Sequence, residues 1–244
     1  APARARIERV EHLQCRRLVP GARHVGHGAV VHGMPGQPDG VAGHEGELTD
    51  YSPDGEQARA DLARQFLLGL EFFRQHFGPQ GETPVLWLPD VFGYSGAMPQ
   101  IMAGCGIKYF STQKIFWAYN SEITFPLNTF WWEGIDGSQV LVHLHNNYNS
   151  RTNPASVIER WNERVQKNGF STRLLPFGWG DGGGGPTREM LERARRLRDF
   201  EGMPRVSLGK VRDFFQRAEA EANDLHAWVG EMYLEFHRGT YTSQ

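Results

Sequence analysis

The chain contains only two cysteines among its 244 residues, and it has no long apolar run. Cys15 and Cys105 lie far apart and neither belongs to a C-x-x-C pair, which argues against a disulfide framework and a cysteine zinc site. No segment approaches the roughly 20 apolar residues that span a bilayer, and the first residues do not resemble a signal peptide. We therefore expect a cytoplasmic protein, in a reducing compartment and without membrane association.

An excess of charge of either sign is also absent. The formal net charge is −2, so we expect no nucleic-acid partner and no attraction to a membrane surface. Hydrophobic residues make up 39% of the chain and charged residues 22%, which is an ordinary globular composition that can bury a sizeable core. The seven tryptophans fit either core packing or stacking on flat ligands such as sugars. The composition leaves the oligomeric state open.

Residues 1–55 differ from the remainder of the chain. They are rich in Gly, Pro, Arg and His and show no sustained period apart from a short helix that we place near Arg6–Leu18. We interpret them as irregular or poorly ordered. The lack of an initiator Met leads us to expect that the chain is a fragment.

From residue 56 onward, helix and strand patterns alternate. Leu62, Phe66, Leu67, Leu70, Phe73 and Phe77 form one helical stripe that ends at Gly78 and Pro79. The alternation favours an α/β fold, with parallel strands in a sheet or barrel and helices outside. Strands are predicted at Pro84–Leu88, Ile107–Thr112, Asn128–Glu133, Gln139–His145, Arg173–Phe177 and Trp228–Phe236, and helices at Ala97–Ala103, Pro154–Lys167, Pro186–Asp199 and Ser207–Glu221, with Ser207 as an N-cap.

Two acidic residues follow predicted strands at the place where such folds carry their chemistry. Asp90 follows Val-Leu-Trp-Leu-Pro, and Asp181 follows Leu-Leu-Pro-Phe-Gly-Trp-Gly. If the two strands are parallel neighbours, both carboxylates rise from one rim, and a pair about 5–5.5 Å apart is what a retaining glycosidase uses. Each Asp could equally cap the turn that follows it. The glycines after Asp181 suit either close approach of the backbone to a ligand or a plain flexible loop.

Histidines offer a second chemical hypothesis. His143 and His145 alternate on a predicted strand, so both side chains point to one face, where they would be metal ligands or hydrogen-bonded structural residues.

Several blocks resemble glycoside hydrolase family 38, the class II α-mannosidases, and best its cytosolic, bacterial-like branch. The similarity runs from about Ala63 to the C-terminus through Trp-Leu-Pro-Asp-Val-Phe-Gly-Tyr-Ser, Gln-Lys, Phe-Trp-Trp-Glu-Gly-Ile-Asp-Gly-Ser, Phe-Gly-Trp-Gly-Asp-Gly-Gly-Gly-Gly-Pro-Thr and Glu-Met-Tyr-Leu-Glu-Phe-His-Arg-Gly-Thr-Tyr-Thr-Ser-Gln. The resemblance implies that residues 56–244 are part of a catalytic domain with a seven-stranded β/α barrel-like core. It implies exo-acting, retaining cleavage of α-linked mannose from glycans or oligosaccharides.

The resemblance also implies roles for individual residues. Asp90 would be the nucleophile and a ligand of one catalytic Zn²⁺, and Asp181 the acid/base. Phe92 would lie against the sugar, Lys114 near the sugar or nucleophile, and Tyr148 within hydrogen-bonding reach of the nucleophile. Zinc would bind mannose hydroxyls and stabilise the charged transition state.

Departures from the family pattern concern the metal. The His-x-Asp motif of the first strand and the later zinc histidine have no counterpart here, so three of four expected zinc ligands are missing. We therefore expect a truncated or frame-shifted product that would be inactive if the zinc site is incomplete. The alternatives are a non-catalytic mannose-binding remnant and, less favoured, another metal-dependent barrel hydrolase such as a polysaccharide deacetylase.

Overall fold

The computed structural model describes residues 6–8, 53–81, 83–91, 93–116, 125–167, 170–180, 183–222 and 224–233. Its elements in chain order are β1 Arg6–Glu8, α1 Pro53–Phe77, β2 Val85–Trp87, β3 Gly93–Tyr94, α2 Met98–Gly104, β4 Tyr109–Thr112, β5 Thr129–Glu133, β6 Gln139–Leu144, α3 Pro154–Asn162, β7 Thr172–Leu174, α4 Arg188–Arg196, β8 Arg205–Ser207, α5 Val211–Glu221, β9 Ala227–Val229 and β10 Met232–Tyr233. Most of the segment 1–55, including the predicted helix beyond Glu8, lies outside the described residues.

Two compact units divide these elements. The first unit contains the described residues among 1–27, together with residues 127–129 and the described part of 143–225. The second unit contains the described parts of 53–126 and 226–233, together with residues 130–142. Each unit carries its own buried apolar side chains.

The second unit is built on strands with strongly apolar sequences. In the five-stranded sheet the order is β2-β4-β6-β5-β9, with β2 parallel to β4 and β5 parallel to β9. All residues of β2 and β4 are buried; β2 is apolar throughout, as expected of a strand covered on both faces, whereas β4 also buries the polar Ser111 and Thr112. Phe110 and Trp132 pack with ring centroids 5.4 Å apart at the centre of this unit. The second unit therefore has an aromatic core that holds the carboxyl ends of β2 and β4 in place.

The turn between β5 and β6 is the hairpin that its sequence predicts. Gly137 has φ 82°, a left-handed conformation that suits glycine, and the Gly134 N–H closes the turn by donating to the Ser138 carbonyl at 2.9 Å. The Asp136 carboxylate accepts bonds from the Ser138 backbone N–H at 3.0 Å and hydroxyl at 2.8 Å. These bonds lower the pKa of Asp136, against the opposing effect of desolvation.

The first unit is a parallel sheet with helices. Its strand order is β7-β1-β8, and both pairings are parallel. Asn153 caps α3 by accepting a 2.8 Å bond from the Ser156 N–H, and Thr187 caps α4 through the Met190 N–H at 3.2 Å. The core of this unit contains Val157, Leu175, Ala194, Leu197 and Val206. Together the two units give the mixed α/β fold with mainly parallel strands that the sequence predicts.

Three local predictions are wrong in detail. Leu67 was assigned to the buried stripe of α1, but its side chain is 54% exposed, whereas Phe66 is 2% exposed. Ser207 ends β8 and does not cap α5, which begins at Val211 without a side-chain cap. Arg6–Glu8 is a strand and not the start of a helix. Arg6–Glu8 and Ser207 lie in strands of three residues, where pairing with another strand outweighs local propensity.

None of the helices in the described part of the chain combines the length and the apolar character that crossing a bilayer requires.

Candidate active site

Asp90 and Lys114 form an ion pair in the second unit. Each follows one of two adjacent parallel strands, β2 and β4, whose register aligns Val85 with Tyr109. The carboxyl ends of parallel strands meet at one edge of a sheet, and there Lys114 Nζ lies 2.9 Å from Asp90 Oδ1. The Lys114 side chain is 7% exposed and that of Asp90 is 54% exposed. An accessible carboxylate thus lies beside a nearly buried ammonium group.

Tyr94 holds the loop that carries Asp90. Its hydroxyl lies 2.8 Å from the Leu88 carbonyl oxygen, 3.4 Å from that of Val91 and 2.7 Å from Thr112 Oγ1. The Leu88 N–H also donates to the Ser111 carbonyl at 3.1 Å, which extends the β2–β4 ladder by one step. The backbone on both sides of Asp90 is therefore tied to the end of β4.

The pairing leaves one carboxylate oxygen available. Asp90 Oδ1 accepts from Lys114, and among the described residues no hydrogen-bond donor is assigned to Oδ2. A half-exposed oxygen on a positioned carboxylate can act as a nucleophile or bind a cation. The buried lysine adds a fixed positive charge next to it, although solvent around Asp90 screens their mutual attraction.

The glycine-rich loop belongs to the first unit and forms a tight turn. The Trp179 N–H donates to the Gly184 carbonyl at 3.2 Å, and the Gly183 N–H donates to the Gly180 carbonyl at 2.9 Å. Gly178 and Gly184 have φ 132° and 123°, conformations that L side chains rarely adopt. In its described part the loop therefore forms a turn that backbone hydrogen bonds close.

Tyr148 lies against this turn. A Cβ atom added at Gly180 would come within 2.8 Å of Tyr148 Cε2 and 2.9 Å of Asn149 Nδ2. Gly180 is required here because the half-buried tyrosine ring occupies the space that any side chain would need. The predicted acid/base Asp181 follows Gly180 in the sequence, but it lies outside the described residues, as does Phe92.

The structure therefore groups the predicted site residues in two places. Asp90 and Lys114 are in contact in the second unit, and Tyr148 contacts the glycine turn in the first unit. We expected the strands before Asp90 and Asp181 to be parallel neighbours. This is wrong, because β2 and β7 lie in different sheets and are not hydrogen-bonded to each other. Sequence patterns report strand order poorly, since pairing depends on contacts between distant segments. Tyr94 was missed, because a tyrosine after a turn carries no signal of what its hydroxyl reaches.

His143 and His145 are buried structural residues. Both are 1% exposed, and the His143 Nδ1 lies 2.9 Å from Thr129 Oγ1, while its Nε2 accepts from the Leu174 N–H at 3.4 Å. Burial, reinforced by the charge of Arg173, lowers the pKa of His143 well below its usual value and that of His145 to about 3. Both ring nitrogens of His143 thus have hydrogen-bond partners, which fits a structural role for this residue.

The described residues do not form a complete metal site. No group of three or more His, Cys, Asp and Glu side chains that could hold a metal ion occurs among them. The Asp90 carboxylate could be one oxygen ligand, whereas a catalytic zinc uses three protein ligands. Zinc does not fit the described part of the chain on its own.

Comparison with known proteins gives a consistent set of relatives. The family model described as "Glycosyl hydrolases family 38 N-terminal domain" matches residues 56–231. The chain is 44% identical over 205 residues to alpha-mannosidase 2C1 of Homo sapiens, an alignment that covers 83% of this chain and 19% of that protein. It is 42% identical over 203 residues to an alpha-mannosidase of Saccharomyces cerevisiae, covering 79% of this chain and 18% of that protein. The chain thus spans about a fifth of the length of these curated relatives.

A solved structure supports the fold. The alpha-mannosidase from Enterococcus faecalis V583 superposes with a TM-score of 0.55 at 20% sequence identity, covering 71% of this chain and 20% of that chain. At this identity the likeness concerns the fold alone.

Proposed function

This chain belongs to glycosyl hydrolase family 38, and from that premise we propose that it carries the nucleophile of a retaining, exo-acting α-mannosidase. The substrate class is α-linked mannose in oligosaccharides or glycans, as the names of the relatives suggest. The observation that carries the proposal is the accessible Asp90 carboxylate, held by Lys114 at the carboxyl edge of β2 and β4. The finer architecture we propose is a seven-stranded barrel-like catalytic domain, to which residues 56–244 contribute a part.

The proposed chemistry proceeds in two displacements. Asp90 attacks the anomeric carbon, the glycosidic C–O bond breaks, and an acid gives its proton to the departing oxygen. A water molecule then attacks the glycosyl-enzyme ester from the same face as the departed group, while the conjugate base takes its proton. Two inversions return the α configuration. Lys114 positions Oδ1 so that the other oxygen faces the sugar, and Tyr94 restrains the loop.

The remaining roles rest on the family resemblance and on the glycine turn. We propose Asp181 as the acid/base, Phe92 as a contact of the sugar, and Tyr148 as a hydrogen-bonding residue close to the nucleophile. The contact between Tyr148 and Gly180 supports a role of this tyrosine beside the turn from which Asp181 continues.

Zinc enters this proposal only as a prediction from the family. Asp90 is the one ligand that the described residues supply, so we derive no catalytic step through the metal. A cytoplasmic location likewise stays a prediction from cysteine usage.

The test uses the chain as it stands, with an aryl α-mannoside and with or without added zinc. Any release of the aryl alcohol by the chain should fall by about 10⁴-fold in Asp90→Asn, the order found when a residue of a catalytic group is removed. Asp224→Asn is the matched control, because Asp224 is an exposed aspartate in the second half of the chain. Turnover that survives in Asp90→Asn would remove this residue from its role.

A second readout separates chemistry from binding. A fluorinated mannosyl fluoride should form a glycosyl ester with the enzyme, and this ester should hydrolyse only slowly. The mass of the wild-type protein should therefore increase by that of one fluorinated sugar. Peptide mapping should place that mass on Asp90, and a label on another carboxylate would contradict the assignment.

One observation favours a second function, a mannose-binding remnant without turnover. Among the described residues, no cluster of metal ligands accompanies Asp90. Calorimetric mannose binding without turnover at any zinc concentration would support this function, and stoichiometric zinc binding with turnover would exclude it.

A further inference from the structure

A small polar cavity lies within the first unit, and none of its lining residues is one that we assign to the reaction. It is lined by Asn128, Thr129, His143, Arg164, Gln166, Phe170, Thr172 and Arg173. The cavity has room for about one particle of the size of a water molecule. The cavity therefore suits a single small guest and excludes a sugar.

Arg173 is the key group of this cavity. The residue is 2% exposed, and its Nη2 donates to the Asn146 side-chain oxygen. Its Nη1 is buried and has no hydrogen-bond partner among the described residues. Among the described residues Arg173 forms no ion pair, and Glu163 is the carboxylate near enough to favour its charge. A buried guanidinium with an unpaired nitrogen is costly, since the protein groups around it compensate only part of the lost hydration.

The surrounding charge is positive. Arg160 and Arg164 lie near enough to Arg173 to oppose its charge, which the Glu163 carboxylate favours. Arg160 Nη1 lies 2.6 Å from Glu163 and its Nη2 lies 3.6 Å from Glu159. The Arg164 guanidinium stacks 3.7 Å from the Trp161 ring centroid and donates to the Trp161 carbonyl at 2.6 Å, and its Nε is buried and unpaired within the described residues. Arg173 is therefore buried next to two other guanidinium groups, with Glu163 as the carboxylate that favours its charge.

The uncharged lining groups are already occupied. Gln166 Oε1 accepts from the N–H groups of Asn128 and Thr129, both at 2.6 Å, and its Nε2 donates to the Thr129 carbonyl at 3.0 Å. Asn128 Oδ1 accepts from the Val165 N–H at 2.7 Å. The donors left over at the cavity are thus those of the arginines, and they are charged.

We propose that this cavity binds one small monovalent anion of the size of chloride, with Arg173 Nη1 as its principal donor and Arg164 as a second positive group. The proposal does not depend on the glycosidase function. The anion supplies the missing countercharge in a space that is too small for phosphate or sulfate. Its binding stabilises the first unit, because an anion that binds only the folded state raises the free energy of unfolding.

The test measures thermal unfolding of the whole chain in potassium chloride and in potassium gluconate at equal ionic strength. Gluconate is too large for the cavity, so screening is matched while the guest differs. We expect chloride to raise the Tm of wild type saturably, by about 2–4 °C, and bromide to act similarly. Line broadening of the ³⁵Cl resonance by wild-type protein should titrate over the same chloride range.

Variants connect the effect to the cavity. In Arg173→Met the difference between chloride and gluconate should vanish, whereas in Arg195→Met, which alters an exposed arginine on α4, it should persist. If Arg173→Met does not fold, Arg164→Met tests whether the chloride effect depends on the cavity. In this variant, a higher chloride concentration should be needed for half of the maximal rise in Tm. A wild type without a chloride-specific rise in Tm, or a wild-type-sized rise in Arg173→Met, would overturn the proposal and leave a water molecule as the guest.

Discussion

Replacement of Tyr94 by Phe tests how the loop around Asp90 is held. The change removes one hydroxyl and keeps the ring, whose packing against Phe110 at a centroid distance of 4.8 Å is preserved. The lost hydroxyl lies 2.7 Å from Thr112 Oγ1 and 2.8 Å from the Leu88 carbonyl. Thr112 is 0% exposed, so its hydroxyl would be left buried without that partner. A buried polar group left unsatisfied costs about 1–3 kcal/mol, and we expect Tyr94→Phe to lower the free energy of unfolding by that amount.

Urea unfolding of Tyr94→Phe, Thr112→Val and the double variant provides the measurement. Because the double variant removes both partners, it should lose less stability than the sum of the single variants, with a coupling energy of about 1 kcal/mol. The dependence of the free energy of unfolding on urea concentration should be the same in all variants. This would show that the surface area exposed on unfolding does not change. A Tyr94→Phe variant within about 0.3 kcal/mol of wild type, together with additive single variants, would show that this hydroxyl does not restrain the loop.

Three further predictions concern the first unit and the matched glycines. His143 and His145 have folded-state pKa values below 6.5, so unfolding takes up protons as the pH falls. The free energy of unfolding should therefore decrease from pH 6.5 toward pH 3, by at most about 1.4 kcal/mol per pH unit for each histidine. Urea unfolding at a series of pH values should show a smaller decrease for His145→Gln than for wild type. Gly180→Ala should cost about 1–3 kcal/mol because its methyl group meets a tyrosine ring, whereas Gly104→Ala, with open space around it, should be neutral or slightly stabilising. Asn153→Ala should lower stability by about 1 kcal/mol through loss of the α3 cap, and a Tm equal to wild type would contradict that cap.

Local signals predicted most of the longer elements. Gly78 and Pro79 ended α1 as expected, and the β5–β6 hairpin followed from its turn sequence. The three strands that were missed, β1, β3 and β8, contain two or three residues each. Such short strands have no periodicity of their own, and they form because a partner strand offers hydrogen bonds. Leu67 illustrates the same limit, since an apolar residue on a helix is buried only where another element covers it.

In the candidate site, too, local signals identify single residues but not their contacts. Asp90 is a candidate because it follows an apolar strand, and Lys114 because it lies in a block that resembles the family. Their 2.9 Å contact could not be read from the chain, because it results from the parallel register of β2 and β4. For the histidines the sequence left metal binding and structural roles open, and the partners of both His143 ring nitrogens, Thr129 and the Leu174 N–H, favour a structural role for that residue.

The amino-acid sequence alone determined the family, the mainly parallel α/β class and the identity of Asp90 as the foremost acidic group, because motif blocks and strand-end positions are local properties. The tertiary structure alone decided which side chains meet: Lys114 with Asp90, Tyr94 with Thr112, and Tyr148 with Gly180. It also decided that Arg173 is buried among other arginines without a paired carboxylate in the described residues. Contacts and desolvation depend on segments that are distant in the chain, and their pairing is set by strand register and packing.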